Sequence, residues 1–325
     1  MRRSAALHRS ATDAAKDFAG DVEYYLTQQP RQLPSRYLYD ALGSVLFDAI
    51  CELPWYGITR AELHLLAQHG GDIFARAGAP SRILELGPGN GSKLMRLIEA
   101  SRYGGRRLEL HLIDVSAAAL ASASRALGAL DDVDVVTHEA PYEALADVTR
   151  TMRVAGPMLV LFLGSNIGNF DRPDAEAFLK GIRGALAPGD ALVLGVDLVK
   201  PERDLQLAYD DPLGVTAAFN RNLLVRINRE LGGTFDLDAF GHRAVWNAQE
   251  SRVEMHLVSL RDQRVRVAAA SIDFSIGPGE SIWTESSYKY QPEEIVAMAV
   301  RAGFGPVEQW IAGEERFALT MLSVA

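Results

Sequence analysis

Between Glu85 and Lys93 the chain reads Glu-Leu-Gly-Pro-Gly-Asn-Gly-Ser-Lys, with glycines at 87, 89 and 91 directly after a short apolar run. Glycines at such a turn let the backbone bend sharply and lie close against a ligand, because a Cβ would obstruct both. Asp114 closes the next apolar run, 27 residues beyond Gly87. A carboxylate at that strand end accepts hydrogen bonds from both hydroxyls of an unmodified ribose. The glycines alone are compatible with a dinucleotide, or with an ordinary strand-to-helix turn. Glu85 shifts the balance, since a carboxylate just before the loop repels a pyrophosphate but suits a cationic sulfonium group. The chemistry expected here is binding of a ribose-bearing sulfonium ligand.

Such a loop needs a strand before it, a helix after it and a sheet to carry both. From Arg82 onward, short apolar runs alternate with helical patterns, the signature of a parallel sheet covered by helices. The runs are Arg82–Leu86, Leu108–Asp114, a weaker Asp134–Thr137, Pro157–Gly164 and Ala191–Val196. Pro157–Gly164 is continuously apolar, as a central strand buried on both faces should be. A helix is expected over Asp174–Ala187, stopped by Pro188-Gly189. After Lys200 the pattern breaks into mixed signals up to about 289, including an alternating run over Arg264–Phe274. Sheet signals resume at the end, with a helix over Gln291–Ala302 and strands over Val307–Ile311 and Phe317–Val324; the short connection makes the last strand antiparallel. The stretch before Arg82 reads as helical with no strand of its own. The expected architecture is a doubly wound α/β sheet built from residues 62–199 and 290–325. A smaller α+β lobe is expected from 1–61 and 200–289, and a cleft between such lobes is a usual place for a small molecule.

Composition narrows the partners. A chain of 325 residues that is 48% hydrophobic can bury a large core. Its net charge of -9 offers no counterion-release advantage on nucleic acid or on an anionic membrane, so neither is expected as a partner. The basic start, Met1-Arg2-Arg3, is followed by no long apolar stretch and reads as a frayed terminus rather than a signal peptide. Cys51 is the single cysteine, which fits a reducing cytoplasm. The seven histidines are scattered, with His64 and His69 five apart and off a shared helical face, so no metal site is expected. Nothing in the sequence requires more than a monomer.

The Glu-x-Gly-x-Gly-x-Gly run with its distal Asp114 resembles the first motif and the ribose acid of class I methyltransferases, which have a Rossmann-like sheet and use S-adenosyl-L-methionine. Leu186-Ala-Pro-Gly-Asp190 before the fifth strand is also typical of them. More particular segments lie outside the sheet core. They are Leu38–Asp48, Leu53–Glu62, Phe162–Phe170 with its Gly-Ser-Asn-Ile-Gly-Asn loop, Ala208–Asp211, Gly214–Asn220 and Glu285–Ser287. Together these resemble the histidine Nα-methyltransferases of ergothioneine biosynthesis, from about Asp21 to the end. Those enzymes convert L-histidine to its trimethylated betaine, hercynine.

The resemblance implies a set of site residues. On the cofactor side it implies Gly87, Lys93 and Asp114, beside Glu85, Gly89 and Gly91 of the same loop, with Tyr39 as a cap. On the substrate side it implies that Asn169, Tyr56 and Tyr209 grip the carboxylate and amino end, with Gly164 alongside. Asn169 and Tyr209 stand nearest the chemistry. Glu285 and Ser287, two apart on an extended segment, face one side and can meet the two imidazole nitrogens. Met255 and Phe47 match apolar walls of the pocket. One departure is visible: the family's Asp-Phe pair at the adenine is replaced here by Thr137-His-Glu-Ala-Pro-Tyr142, with Glu139 the candidate substitute for the acid.

The transfer expected is an in-line displacement at carbon, which needs an unprotonated amine, good alignment and no covalent nucleophile. The competing readings are a nicotinamide dehydrogenase, a methyltransferase for another amino acid or amine, a methyltransferase-like binding module, and an RNA or protein methyltransferase. The last is disfavoured by charge and by the absence of a basic, aromatic-interleaved patch.

Overall fold

The computed structural model describes residues 11–101, 107–152 and 156–324. The basic start of the chain, expected to be frayed, lies outside them. The chain divides into two compact units, one of residues 57–199 and 288–325, the other of residues 8–56 and 200–287.

The first unit is built on seven strands: β1 (Arg82–Leu86), β2 (Leu108–Asp114), β3 (Val133–Glu139), β4 (Met158–Phe162), β5 (Ala191–Asp197), β6 (Gly305–Ala312) and β7 (Phe317–Ser323). Their order is β6-β7-β5-β4-β1-β2-β3. Strands β1 to β5 run parallel, and β7 is antiparallel to both β5 and β6. This is the Rossmann-like, doubly wound sheet expected from the sequence, with its last strand antiparallel. Strands β4 and β5 are buried at every position, which is why they read as unbroken apolar runs. Strand β3 lies at the sheet edge and alternates partial and full exposure, so its sequence signal covered only the middle of its true length.

Chain direction across the sheet reverses between β1 and β4, whose last residues Leu86 and Phe162 are in register. In open parallel sheets that reversal leaves a crevice beyond the carboxyl ends of the two strands. On one face, Leu84, Leu86, Val160, Phe162 and Leu194 pack with Leu179 and Ile182 of helix Arg172–Ala185 and with Ile295 and Met298 of helix Pro292–Arg301. The second of those helices begins with a capping box between Gln291 and Glu294, one residue inside the expected start. Helix Gly57–Arg76 packs against helix Ser92–Ala100 and against β6 and β7.

The second unit combines helices with a four-stranded sheet in the order 31–32, 281–288, 252–259, 240–247. Two expectations need correction. The N-terminal stretch does contain a strand, Arg31–Gln32, running parallel to Ser281–Tyr288. It is two residues long, too short for any periodicity to show. The alternating run Arg264–Phe274 is two strands, Gln263–Val267 and Ile272–Ile276, paired antiparallel as a hairpin. The apolar positions shift from odd (265, 267) to even (270, 272, 276) across the turn, and the alanines at 268–270 covered that one-residue slip, which hid the reversal. Helix Val215–Leu231 buries Phe219, Leu223, Leu224 and Ile227 and packs on helix Ala41–Cys51 and on the strands Phe240–Asn247 and Arg252–Ser259. No helix among the described residues is long and apolar enough to cross a membrane.

Candidate cofactor and acceptor sites

In the first unit, β1 runs into a loop in which Gly87, Gly89 and Gly91 all take positive φ, at 71°, 56° and 84°. Side chains rarely adopt that conformation, so the turn requires glycine at these positions. A Cβ on Gly87 would stand 2.6 Å from the Tyr142 hydroxyl and 3.1 Å from the Asn166 side-chain nitrogen. Gly91 caps helix Ser92–Ala100, whose second residue is Lys93.

Asp114 ends β2 beside this loop, where the Gly87 N–H donates to Ile113 O at 2.9 Å. One Asp114 oxygen accepts the Ser116 N–H at 2.8 Å, and Ser116 in turn caps the helix Ala117–Leu127. Burial pushes Asp114 up to about 6, against the pull of the Ser116 and Val115 amides, so it is ionised at neutral pH. Glu85 behaves differently. It is 1% exposed, and burial raises it to about 8; Lys93 draws it down while Glu62 and Asp114 push it up. The charged Glu85 expected from sequence is therefore a neutral carboxyl at pH 7, because its place in β1 takes it out of water.

Lys93 meets a different partner. Its ammonium lies 2.6 Å from Glu62 Oε2, and the same carboxylate accepts the Gly164 N–H on both oxygens at 2.9 Å. Gly164 and Ser165 both turn through positive φ at the end of β4, and the turn Asn166–Asn169 follows. Ser165 Oγ accepts the Asp197 N–H at 3.0 Å, which ties this turn to the end of β5. The structure thus gathers Glu85, Gly87, Gly89, Gly91, Lys93 and Asp114 with Gly164 and Asn169 in one unit. The Gly164 amide, expected beside the substrate, is engaged by Glu62.

The second unit holds the remaining candidates. Tyr209 ends helix Glu202–Tyr209, and its hydroxyl is 2.8 Å from Ser287 Oγ. The Tyr209 carbonyl accepts from His242 Nε2 at 2.8 Å, while the Asn220 amide donates to His242 Nδ1 at 3.0 Å. Burial pulls His242 below its ordinary pKa, which fits a neutral ring between these partners. Tyr56 stacks edge-on to Tyr209 at 6.3 Å and to Phe47 at 6.2 Å. Glu285 and Ser287 lie on strand Ser281–Tyr288, both buried, and Met255 is buried on strand Arg252–Ser259. Tyr39, expected at the cofactor, belongs to this unit, where it packs on Phe47 and Phe219 at 5.5 and 5.4 Å.

Three residues with no expected role stand at the first cluster. Glu62 had a legible signal: on helix Gly57–Arg76 it falls on the buried stripe with Ile58, Ala61, Leu65 and Leu66, where a carboxylate must have a partner. Asn166 and Tyr142 flank Gly87. Tyr142, rather than Glu139, stands at the loop; Glu139 is exposed at the end of β3. Burial, with Asp114, Glu143 and Glu85 adding to it, raises the Tyr142 hydroxyl far above its usual value, so it remains a donor.

The residues present fit a nucleoside-bearing sulfonium. Gly89 borders open space, Gly87 and Gly91 let the loop pack closely on Tyr142 and Ala123, and an ionised carboxylate ends the neighbouring strand. A neutral acid and an already paired ammonium leave no unmatched positive charge against the ligand. Among the described residues, no group of three or more His, Cys, Asp or Glu side chains could hold a metal ion.

Residues 18–324 match the family described as histidine-specific, S-adenosylmethionine-dependent methyltransferases. The chain is 41% identical to the histidine N-alpha-methyltransferase of Mycolicibacterium smegmatis, over 99% of each chain. It is 38% identical to that of Mycobacterium tuberculosis, again over 99% of each. Ergothioneine biosynthesis protein 1 of Neurospora crassa is 29% identical over 88% of this chain and 32% of its own length.

Proposed function

Because the chain belongs to the histidine-specific, S-adenosylmethionine-dependent methyltransferases, we propose that it methylates the α-amino nitrogen of L-histidine, up to the trimethylated betaine hercynine. S-adenosylmethionine supplies a methyl group on a sulfonium that leaves as a neutral thioether, so no acid is needed at the leaving side. In this reading the unit of residues 57–199 and 288–325 takes the donor, and the unit of residues 8–56 and 200–287 takes the amino acid.

On the donor side, Asp114 accepts the ribose hydroxyls, Gly87, Gly89 and Gly91 give the backbone room, and Lys93 serves the charged end of the cofactor. Glu85, neutral at pH 7, adds no charge of its own, and Tyr39 is the remaining residue assigned to the cofactor. On the acceptor side, the buried Glu285 carboxylate accepts an imidazole N–H and Ser287 meets the other ring nitrogen. Tyr56, Tyr209 and Asn169 are assigned to the carboxylate and amino end together with Gly164, and Met255 and Phe47 to apolar contacts with the side chain. The amine must be unprotonated to attack. Its pKa, above about 8, makes deprotonation only modestly uphill at neutral pH. Alignment then supplies most of the acceleration.

The observation that carries the reading is the buried trio Glu285, Ser287 and Tyr209 in a chain matched along nearly its whole length to a histidine-specific family. A carboxylate and two hydroxyls enclosed on strand and helix ends suit a polar ring better than a purely apolar one. The single cysteine and the acidic balance support a cytoplasmic setting, and the reaction needs no more than a monomer.

The test is mass spectrometry of histidine incubated with the protein and S-adenosylmethionine, with one to three added methyl groups expected. Methylation of another amino acid with histidine untouched would replace the substrate. Calorimetric binding of NAD in place of S-adenosylmethionine would replace the reaction class. Asn169→Ala is expected to cut the rate far more than it weakens cofactor affinity, and equal losses would contradict its place beside the amine.

A further inference from the structure

Glu62 is 0% exposed, on a helix face otherwise given to Ile58, Ala61, Leu65 and Leu66. A carboxylate in such a place persists only when paired and hydrogen-bonded. Glu62 has both, in the Lys93 ammonium at 2.6 Å and the Gly164 N–H at 2.9 Å.

The sheet also makes room for it. Gly195 lies in the middle of β5, paired with Leu319 and flanked by the buried Leu194 and Val196. A Cβ there would run into Glu62 Oε1. Gly195 is not among the residues with positive φ, so backbone conformation does not demand glycine. Glycine weakens a central strand, and here the gain is the space the carboxylate occupies.

We propose that Glu62 is a positioning residue that sets the charge of the cofactor site: by neutralising Lys93 it lets the site hold a sulfonium cation as readily as the neutral thioether left after transfer. This rests on the reading of the first unit as the S-adenosylmethionine site. An unpaired Lys93 ammonium would repel the sulfonium and leave the thioether untouched. Glu85, the other carboxyl near Lys93, is raised to about 8 by burial and is neutral at pH 7. Glu62 is the carboxylate in ion-pair contact with the lysine, at 2.6 Å. Its bond to the Gly164 amide also fixes the turn after β4 relative to the helix that carries Lys93, since one carboxylate holds both.

The readout is the ratio of two dissociation constants, for S-adenosylmethionine and for S-adenosylhomocysteine, measured by calorimetry on the full chain. Glu62→Gln keeps the acceptor for Gly164 and removes the charge. It is expected to shift the ratio at least about fivefold toward the thioether. Lys93→Met leaves the carboxylate unbalanced and should shift the ratio the other way. The double variant should return to within about twofold of wild type, and Glu62→Asp should stay near wild type. A role in packing alone would weaken both ligands equally, so an unmoved ratio in Glu62→Gln and Lys93→Met would overturn the proposal. If Glu62→Gln does not fold, the sign of the Lys93→Met shift decides. If the wild-type protein binds neither ligand, the cofactor reading fails and takes this proposal with it. Binding with unmoved ratios removes the Glu62 role alone.

Discussion

The hydroxyls of Tyr209 and Ser287 lie 2.8 Å apart inside the second unit, joining a helix end to a strand 78 positions later. Both residues are buried, and the Tyr209 carbonyl is held separately by His242. Removing either hydroxyl breaks this bond between buried groups, a loss of about 0.5–1.5 kcal/mol. Tyr209→Phe is expected to raise the KM for histidine about tenfold, with S-adenosylmethionine affinity unchanged. Ser287→Ala should do nearly the same, and the double variant should be little worse than either single one, because the pair acts as a unit. Full additivity would show that the two hydroxyls serve the substrate independently.

In the proposed function Glu285 carries the choice of side chain. Its backbone carbonyl accepts the Trp283 ring N–H at 2.8 Å, which fixes the strand, and its carboxylate is buried. A site built to accept an N–H rejects rings that lack one, because its own polar group is left unpaired. Glu285→Ala should lower kcat/KM for histidine and narrow its preference over phenylalanine by about 10- to 100-fold. Competition assays with the aromatic amino acids measure this directly, and an unchanged preference would take Glu285 out of recognition.

With Asp114 as the proposed ribose acceptor, cofactor binding should depend on pH. Ribose hydroxyls favour its ionised form, so the ligand must displace a proton whenever the carboxyl is neutral. With Asp114 at about 6, affinity for S-adenosylmethionine should be flat above pH 7 and fall about tenfold for each unit below 6. Asp114→Asn should bind more weakly throughout and lose that slope. Titration calorimetry from pH 5 to 8 tests both.

Glu85 shapes stability against pH. Its carboxyl titrates near the ordinary 4.5 when unfolded and at about 8 when folded. Between those values the unfolded chain has released the proton and the native chain still holds it. The native state binds more protons there, so stability falls as pH rises. Glu85→Gln is neutral in both states and should escape that loss. Its Tm relative to wild type should climb from pH 4.5 to 8 and then level off, at about 2–4 °C for each kcal/mol recovered. A difference independent of pH would mean that Glu85 is charged in the folded protein.

Much of the first unit was legible because its signals are local. The apolar runs of β4 and β5 follow from burial on both faces, and the glycine loop follows from backbone conformations that side chains avoid. The Pro188-Gly189 stop is likewise read within a few positions. Where the signal was short or blurred, it misled: two residues at 31–32 carry no period, and the three alanines at 268–270 covered the one-residue slip between the hairpin's strands.

By itself the amino-acid sequence determined the alternation of strand and helix, the glycine turn after β1 and the carboxylate that ends β2, since each depends on neighbours within a turn or a strand. Tertiary structure alone decided that burial raises Glu85 to about 8, that Glu62 pairs with Lys93, and that Tyr209 meets Ser287. The physical reason is that charge state and long-range hydrogen bonding are set by burial and by which distant segments come together. Neither is written in the spacing of residues along the chain. Glu62 shows the boundary between the two: its place on an apolar stripe announced that it needed a partner, and only the packing of its helix against the sheet showed which one.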